Sequence, residues 1–466
     1  MNDMSFLADR VVTLLKGFCR SQIQLKQIQS QIILHNLQSN TTIALHLINA
    51  SQSHNLLNSL LPLFTILTPK PHVFIFNTLI RAFSHSHIPH TPLFLYTHMQ
   101  KNSIFPNNFT FPFLFKSLSD SNNFIQSQCV YTHVIKLGHL NDLYVNNSLL
   151  DVYASCGYVS LCRQLFDEMS HRDVVSWTVL IMGYRFCGKY DDALLVFEQM
   201  QYAGVVPNQV TMVNALAACA SSGAIEMGIW IDDMIRRNGL ELDVILGTVL
   251  IDMYVKCGRV EEGLRVFGNM KERNVFTWNT VIRGLALAKS GDEAILWFNR
   301  MELDGVRADE VTLVAVLSAC SHSGLVDKGR LIFNMLVDGK YGFCPNVKHY
   351  ACMVDILARG GRLREAFEIM RCMPFEPTKA MWGSLLACSK SQGDLEFSEF
   401  AARKLVELEP GNAAYYVQLS NLYAEAGKWG DFERVRGMMK ERELTKDLGC
   451  SSVEVERQRS ASELLA

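Results

Sequence analysis

The chain lacks the residues and spacings that most chemistry requires. No apolar run approaches the ~18 residues of a membrane span, so no transmembrane segment or membrane partner is expected. None of the 13 histidines is followed two positions later by glutamate, and no two of the 13 cysteines stand in Cys-x-x-Cys spacing. A zinc-dependent deaminase needs both. There is no GxxxxGK[ST] loop for a nucleotide phosphate. The sequence therefore reads as a chain with no catalytic site, metal or cofactor of its own. Charge is also scarce, at 19% of residues with a formal net charge of -2. This places the chain outside the disordered and strongly charged classes. It gives no compositional support to nucleic-acid binding, which would need basic residues gathered on one face. The odd cysteine count, without regular pairing or a recognisable secretory signal, argues against a disulfide framework.

What the chain does have is a repeat. Residues 174–208, VVSWTVLIMGYRFCGKYDDALLVFEQMQYAGVVPN, read as two helices. The first runs from Trp177 to about Arg185. Gly188 breaks it, and Asp191 and Asp192 sit where the positive end of a second helix would be. Ala193, Val196, Phe197 and Met200 form the i, i+3, i+4, i+7 stripe of a packed face. Gly204 and Pro207 close the unit. The pattern returns 101 residues later, where Trp278, Ile282, Ala294, Phe298, Met301 and Gly305 match Trp177, Ile181, Ala193, Phe197, Met200 and Gly204. Asn77, Thr78, Leu79 and Ile80 match 101 residues earlier. A fixed long period of helix pairs predicts an all-α fold, a right-handed α-solenoid superhelix of stacked helix-turn-helix repeats.

The period divides into units of 35, 35 and 31 residues: 73–107, 108–142 and 143–173, then 174–208, 209–243 and 244–274, then 275–309, 310–346 and 347 to about 377. The second helices of the short units share one stripe, through Cys162, Leu165, Phe166 and Met169, through Gly263, Val266, Phe267 and Met270, and through Ala366, Ile369, Met370 and Met373. Recurrence in every unit marks this as core. The cysteines recur as well, Cys156 with Cys257 and Cys219 with Cys320, which reads as small reduced packing residues. His322 and His349 lie within repeats and read as packing or surface residues. Residues 1–20 are either a basic presequence, against which Asp3 and Asp9 count, or a capping helix. Residues 21–72 look like two worn helix pairs. Their stripes are Gln24, Leu25, Ile28, Ile32 and Ile33, then Leu56, Leu57, Leu60 and Phe64, the second kinked or cut short by Pro62.

These motifs resemble the plant pentatricopeptide repeats of the P-L-S type. The resemblance is carried by the openings Phe76-Asn77-Thr78, Trp177-Thr178-Val179 and Trp278-Asn279-Thr280, by LLDVYASCG at 149–157 and LIDMYVKCG at 250–258, and by LSACSHSGLVDKG at 317–329. It covers residues 73–377 as the repeat array. Residues 378–455, with Trp382-Gly383-Ser384 and the run from Tyr415 to Trp429, resemble the E-type extension of organellar RNA-editing factors. Ser452 departs from the tryptophan usual there, and residues 456–466 resemble nothing known.

The resemblance implies a site-recognition factor for C-to-U editing that binds single-stranded organellar RNA. It would recruit a DYW-type deaminase in trans, together with multiple organellar RNA editing factors, and would reside in the mitochondrion or alternatively the chloroplast. In this family each repeat faces one base, chosen by its fifth and last residues. Carried over, Asn77 with Asn107 implies a pyrimidine, Asn147 with Asp173 U, Thr178 with Asn208 A, Thr248 with Asn274 A, and Asn279 with Asp309 U. The longer-variant units carry Pro112/Asp142, Val213/Asp243 and Val314/Asn346, and an apolar fifth residue cannot hydrogen-bond a base. Ala351 in the last short unit departs from the code. From the residues alone, Asn77, Thr178 and Asn279 could equally cap the helices they open. Two other roles stay open: an RNA-binding protein for splicing or transcript stabilisation, and a peptide-binding scaffold like tetratricopeptide repeats, which would keep an even period of 34.

Overall fold

A computed structural model describes residues 2–18, 21–65, 72–86, 88 and 90–444. Arg20, the Pro69–Pro71 break, the ending with Ser452 and the tail lie outside them. Every element among the described residues is helical, with 26 α-helices, one 3-10 turn and one π turn. None is long and apolar enough to cross a membrane. The chain divides into two compact units, Met1–Cys257 and Gly258–Ala466.

The first unit opens with the helix Asn2–Thr13, which passes into a π turn at Leu14–Phe18 and packs on Thr41–Ser53. Helix Gln22–Leu34 buries Leu25 and Ile32 of the expected stripe but turns Ile33 outward. The second stripe is not one helix. It is a 3-10 turn, Leu57–Leu60, followed by a new helix, Leu61–Thr65. Pro62 falls in that helix's first turn, where its missing N–H breaks no bond. Five helix pairs follow, beginning with Val73–Ser84 and Thr91–Lys101, and the unit ends with Val244–Lys256. Each first helix packs on its own partner and on the next first helix. First helices therefore make one continuous layer and second helices the other. In the pair covering 108–142 the first helix starts late, at Phe111, because Pro112 fits only within a first turn.

In the second unit the same layering runs through Val275–Leu287, Glu310–His322, Val347–Arg359 and Lys379–Ser391. It then changes, with Ala413–Glu425 packing on the preceding second helix, Leu395–Leu408.

The 101-residue period is visible as repeated packing. Ala193, Val196, Phe197 and Met200 are buried, as are their counterparts Ala294, Phe298 and Met301. Phe166 meets Trp177 edge-on at 4.7 Å, and Phe267 meets Trp278 in the same way at 4.7 Å. Behind each phenylalanine lies an arginine, Arg172 at 4.9 Å and Arg273 at 4.7 Å, whose Nε also donates to that phenylalanine's carbonyl. The ring thus has both an aromatic and a cationic neighbour. Cys219 and Cys320 are buried, and burial pushes their thiols up to about 12 and about 11, so they pack as neutral groups.

At several turns the backbone keeps the period while the residue changes. Gly188 ends its helix with φ +71°, and Lys289, 101 residues on, adopts φ +57° with a side chain in place. A left-handed lysine costs about 1 kcal/mol that glycine avoids. Lys289→Gly is expected to raise stability by about 0.5–1 kcal/mol in chemical denaturation, and a loss of stability would show that the side chain is needed there.

Candidate nucleic-acid interface

The last residue of most units has a structural duty of its own. Asp142, Asp173, Asn208 and Asp243 in the first unit, and Asn274, Asp309 and Asn346 in the second, are N-caps of the helix that follows. Their short side chains place an oxygen on the free N–H groups of the next first turn. The proposed fifth residues are not caps. Asn77, Asn147, Thr178 and Asn279 each lie at the fifth position of their helix, one turn in.

Within a compact unit the two positions are brought together. Asn77 Nδ2 donates to Asn107 Oδ1 at 2.9 Å, Asn147 Nδ2 to Asp173 Oδ1 at 3.0 Å, and Asn279 Nδ2 to Asp309 Oδ1 at 3.0 Å. A third residue, absent from the sequence reading, locks each pair. Thr110, Ser176 and Thr312 donate to Oδ1 of Asn77, Asn147 and Asn279 at 2.7, 2.7 and 2.6 Å. Each follows the last residue by three positions and also accepts that residue's backbone N–H, closing a capping box in the latter two cases. Thr178 reaches its partner only through this third residue, with Thr178 Oγ1 2.6 Å from Thr211 Oγ1 and Thr211 Oγ1 2.9 Å from Asn208 Oδ1. Thr248 lies on the last helix of the first unit and Asn274 lies within the second, where its Oδ1 accepts from the Thr277 backbone N–H at 3.1 Å.

The internal bonds leave a defined remainder. An amide has two N–H donors and a carboxylate two acceptor oxygens. All bonds to Asp173 and Asp309 fall on Oδ1, so Oδ2 takes none among the described residues. In Asn107 and Asn208 the bonds also fall on Oδ1, and Nδ2 is the group left over. An aspartate thus offers an acceptor and an asparagine a donor at the same place. Burial pushes the Asp173 and Asp309 carboxyls up, but hydrogen bonds from Ser176 and Asn147, and from Thr312 and Asn279, outweigh it and hold both below the usual carboxylate value. Both stay ionised at neutral pH. The fifth residues are deeply set, with Asn147 and Thr178 7% and Asn279 6% exposed.

A second feature escaped the sequence reading. The second residue of successive units is apolar yet exposed: Phe74, Phe109, Tyr144, Val175, Val210 and Ile245 in the first unit, Phe276 and Val311 in the second, at 42–74%. Recurrence marks core in the second helices, and here it marks surface. Stacked planar rings would cover such residues. In the last short unit Ala351 has no polar atom to offer, and His349 replaces the usual hydroxyl, its Nδ1 accepting from Asn346 N–H at 3.0 Å. His322 Nδ1 lies 3.2 Å from the Ala286 carbonyl oxygen. No cluster of three metal-ligating side chains occurs among the described residues.

The arrangement is that of an α-solenoid of helix pairs with regularly spaced polar pairs on its first helices. The E motif model matches residues 392–454, the PPR repeat family model 172–221 and 273–322, and the PPR repeat model 147–174, 248–275 and 349–376. A pentatricopeptide repeat-containing protein of Arabidopsis thaliana is 36% identical over 481 residues, spanning 96% of this chain and 90% of the relative. Another, labelled chloroplastic/mitochondrial, is 38% identical over 397 residues, spanning 82% of this chain and 62% of the relative. The crystal structure of PPR10 in complex with an 18-nt psaJ RNA element matches with a TM-score of 0.72 at 14% identity, and the likeness covers 90% of this chain and 64% of PPR10. The chain belongs to the pentatricopeptide repeat family.

Thr312 both closes a capping box and fixes Asn279. Thr312→Val is expected to lower stability by about 1–2 kcal/mol in denaturant while keeping helical content, since the buried Asn279 oxygen loses a donor and the Asp309 backbone N–H loses an acceptor. An unchanged midpoint would show that the triad contributes nothing.

Proposed function

We propose that the chain is a sequence-specific single-stranded RNA-binding protein of organelles. In this reading each unit with a polar fifth residue reads one splayed base. The observation that carries it is the atom left over on each last residue. Uracil presents an N3–H donor, which Oδ2 of Asp173 or Asp309 can accept. The N1 of adenine and the N3 of cytosine are acceptors, which the Nδ2 donor of Asn208 or Asn107 suits. This accounts for U at Asn147/Asp173 and Asn279/Asp309 and for an acceptor-edged base, A or C, opposite Asn208 and Asn107, while the choice of A at Thr178/Asn208 and Thr248/Asn274 and of a pyrimidine at Asn77/Asn107 is what the family resemblance implies. The exposed second residues would sandwich the bases between successive units.

The finer reading is a site-recognition factor for C-to-U editing. It rests on the E motif match at 392–454. Residues 73–377 would hold the RNA, and 378–455 would present the target cytidine to a DYW-type deaminase in trans and to further editing factors. With the last short unit four nucleotides before that cytidine, the target reads Y-N-U-A-N-A-U-N-N, three free bases, then C. A mitochondrial or plastid setting agrees with the double label of the second relative above. The alternative, a role in splicing or transcript stabilisation, uses the same RNA contacts and no deaminase.

Two measurements test this. In filter binding, replacing the A opposite Thr178 by U should weaken binding by about fivefold, one hydrogen bond's worth. The double change Thr178→Asn with Asn208→Asp should reverse the preference, and indifference to that base would contradict the assignment. Purified chain incubated with its target RNA should leave the cytidine intact, whereas deamination without a partner would overturn recruitment in trans.

A further inference from the structure

The longer-variant units differ from their neighbours in more than an apolar fifth residue. Their first residues are Asn108, Gln209 and Glu310, all polar. The first residues of the other units, such as Val174 and Val275, are apolar. Polarity at positions one and five is thus exchanged between the two kinds of unit. The exchange has a structural counterpart. Asn108 Nδ2 donates to Asp142 Oδ2 at 3.0 Å, and Gln209 Nε2 donates to Asp243 Oδ2 at 2.6 Å. Each aspartate's Oδ1 is already held by the helix it caps, through Tyr144 and Val145 N–H in one case and Leu246 N–H in the other. In the second unit the chemistry is inverted while the positions stay the same. The last residue is an amide, Asn346, and its Nδ2 donates at 2.7 Å to a carboxylate, Glu310 Oε2. Acceptor and donor change sides together, which a chance surface contact would not require.

We infer that the first residue of each longer-variant unit is a clamp that occupies the outward polar atom of the last residue and so keeps that unit indifferent to the base it faces. The inference rests on the base reading proposed above and adds a second determinant to it. Where the fifth residue holds the last one, as in Asp173 and Asp309, the bonds collect on Oδ1 and Oδ2 stays open for a base. Where the first residue holds it, Oδ2 is consumed from within the protein. An apolar fifth residue is then only half of the reason for silence. Installing a polar fifth residue would not by itself create a reader.

The experiment uses the full chain and RNAs that differ only at the nucleotide between the two adenosines assigned to Thr178 and Thr248. Discrimination at the Thr178 adenosine by the unaltered chain is the control for the base reading, and its absence would sink that reading rather than the clamp alone. Given the control, Val213→Asn alone should bind all four bases at the variable nucleotide within about twofold. Val213→Asn with Gln209→Val should favour U by roughly fivefold, the worth of one hydrogen bond. Valine is the residue found at this position in the units 174–208 and 275–309, so the change copies an existing local packing. A U preference from Val213→Asn alone, or none from the double variant, overturns the clamp. The reciprocal change decides the matter if the double variant fails to fold. Val275→Gln should cut the U preference opposite Asn279 by roughly fivefold, and an unchanged preference there overturns the proposal equally.

Discussion

In two units a single oxygen atom carries two obligations. Oδ1 of Asp173 or Asp309 satisfies the free N–H groups that open the next helix, and it also receives the amide of its own unit's fifth residue. Helix capping and site construction are therefore one interaction. The cap forces the last residue into a fixed orientation, that orientation fixes the fifth residue, and a buried hydroxyl from the next helix locks both. What remains pointing outward is whichever atom the cap did not use. The difference between an acceptor and a donor at that point follows from the choice of aspartate or asparagine alone.

This economy is compatible with the proposed reading of RNA, a polyanion, by a chain with net charge -2. Basic residues on the first helices are largely answered in place, Lys116 by Asp120 at 2.8 Å, Lys256 by Asp252 at 2.7 Å and Arg359 by Asp355 at 2.9 Å. Exposed pairs of this kind contribute little to stability, and they reduce any uniform attraction for phosphate. In the proposed function, discrimination rests on preset hydrogen-bonding atoms and on apolar second residues available for stacking, both of which would act on bases.

Much of the fold was legible because the period is long and its core positions recur. The stripe from Ala193 to Met200 and its counterpart from Ala294 to Met301 required only counting. The fifth and last residues came from the family resemblance, since spacing alone left Asn77, Thr178 and Asn279 open to reading as caps. The third members Ser176, Thr211 and Thr312 are the N3 hydroxyls of capping boxes, and Thr110 stands at the same spacing from Asn107 without closing one. In sequence a buried hydroxyl residue looks like any other helix residue until its partners are known. The exposed second residues were hidden by the rule that recurring apolar positions are core. Pro62 and Pro112 set helix starts that periodicity cannot place, and Lys289 occupies a glycine's conformation that no pattern signals. The change of packing order after Leu395 reflects tertiary choices that the helical stripes of either neighbour would permit.

The most direct test of the account is a crystal structure of the full chain bound to the nine-base target. The account predicts uracil N3 at a hydrogen-bonding distance of about 2.8–3.0 Å from Oδ2 of Asp309, with Oδ1 still engaged by Asn279 and Thr312. RNA lying along the second helices, or Oδ2 of Asp309 facing solvent while the base stacks elsewhere, would contradict it.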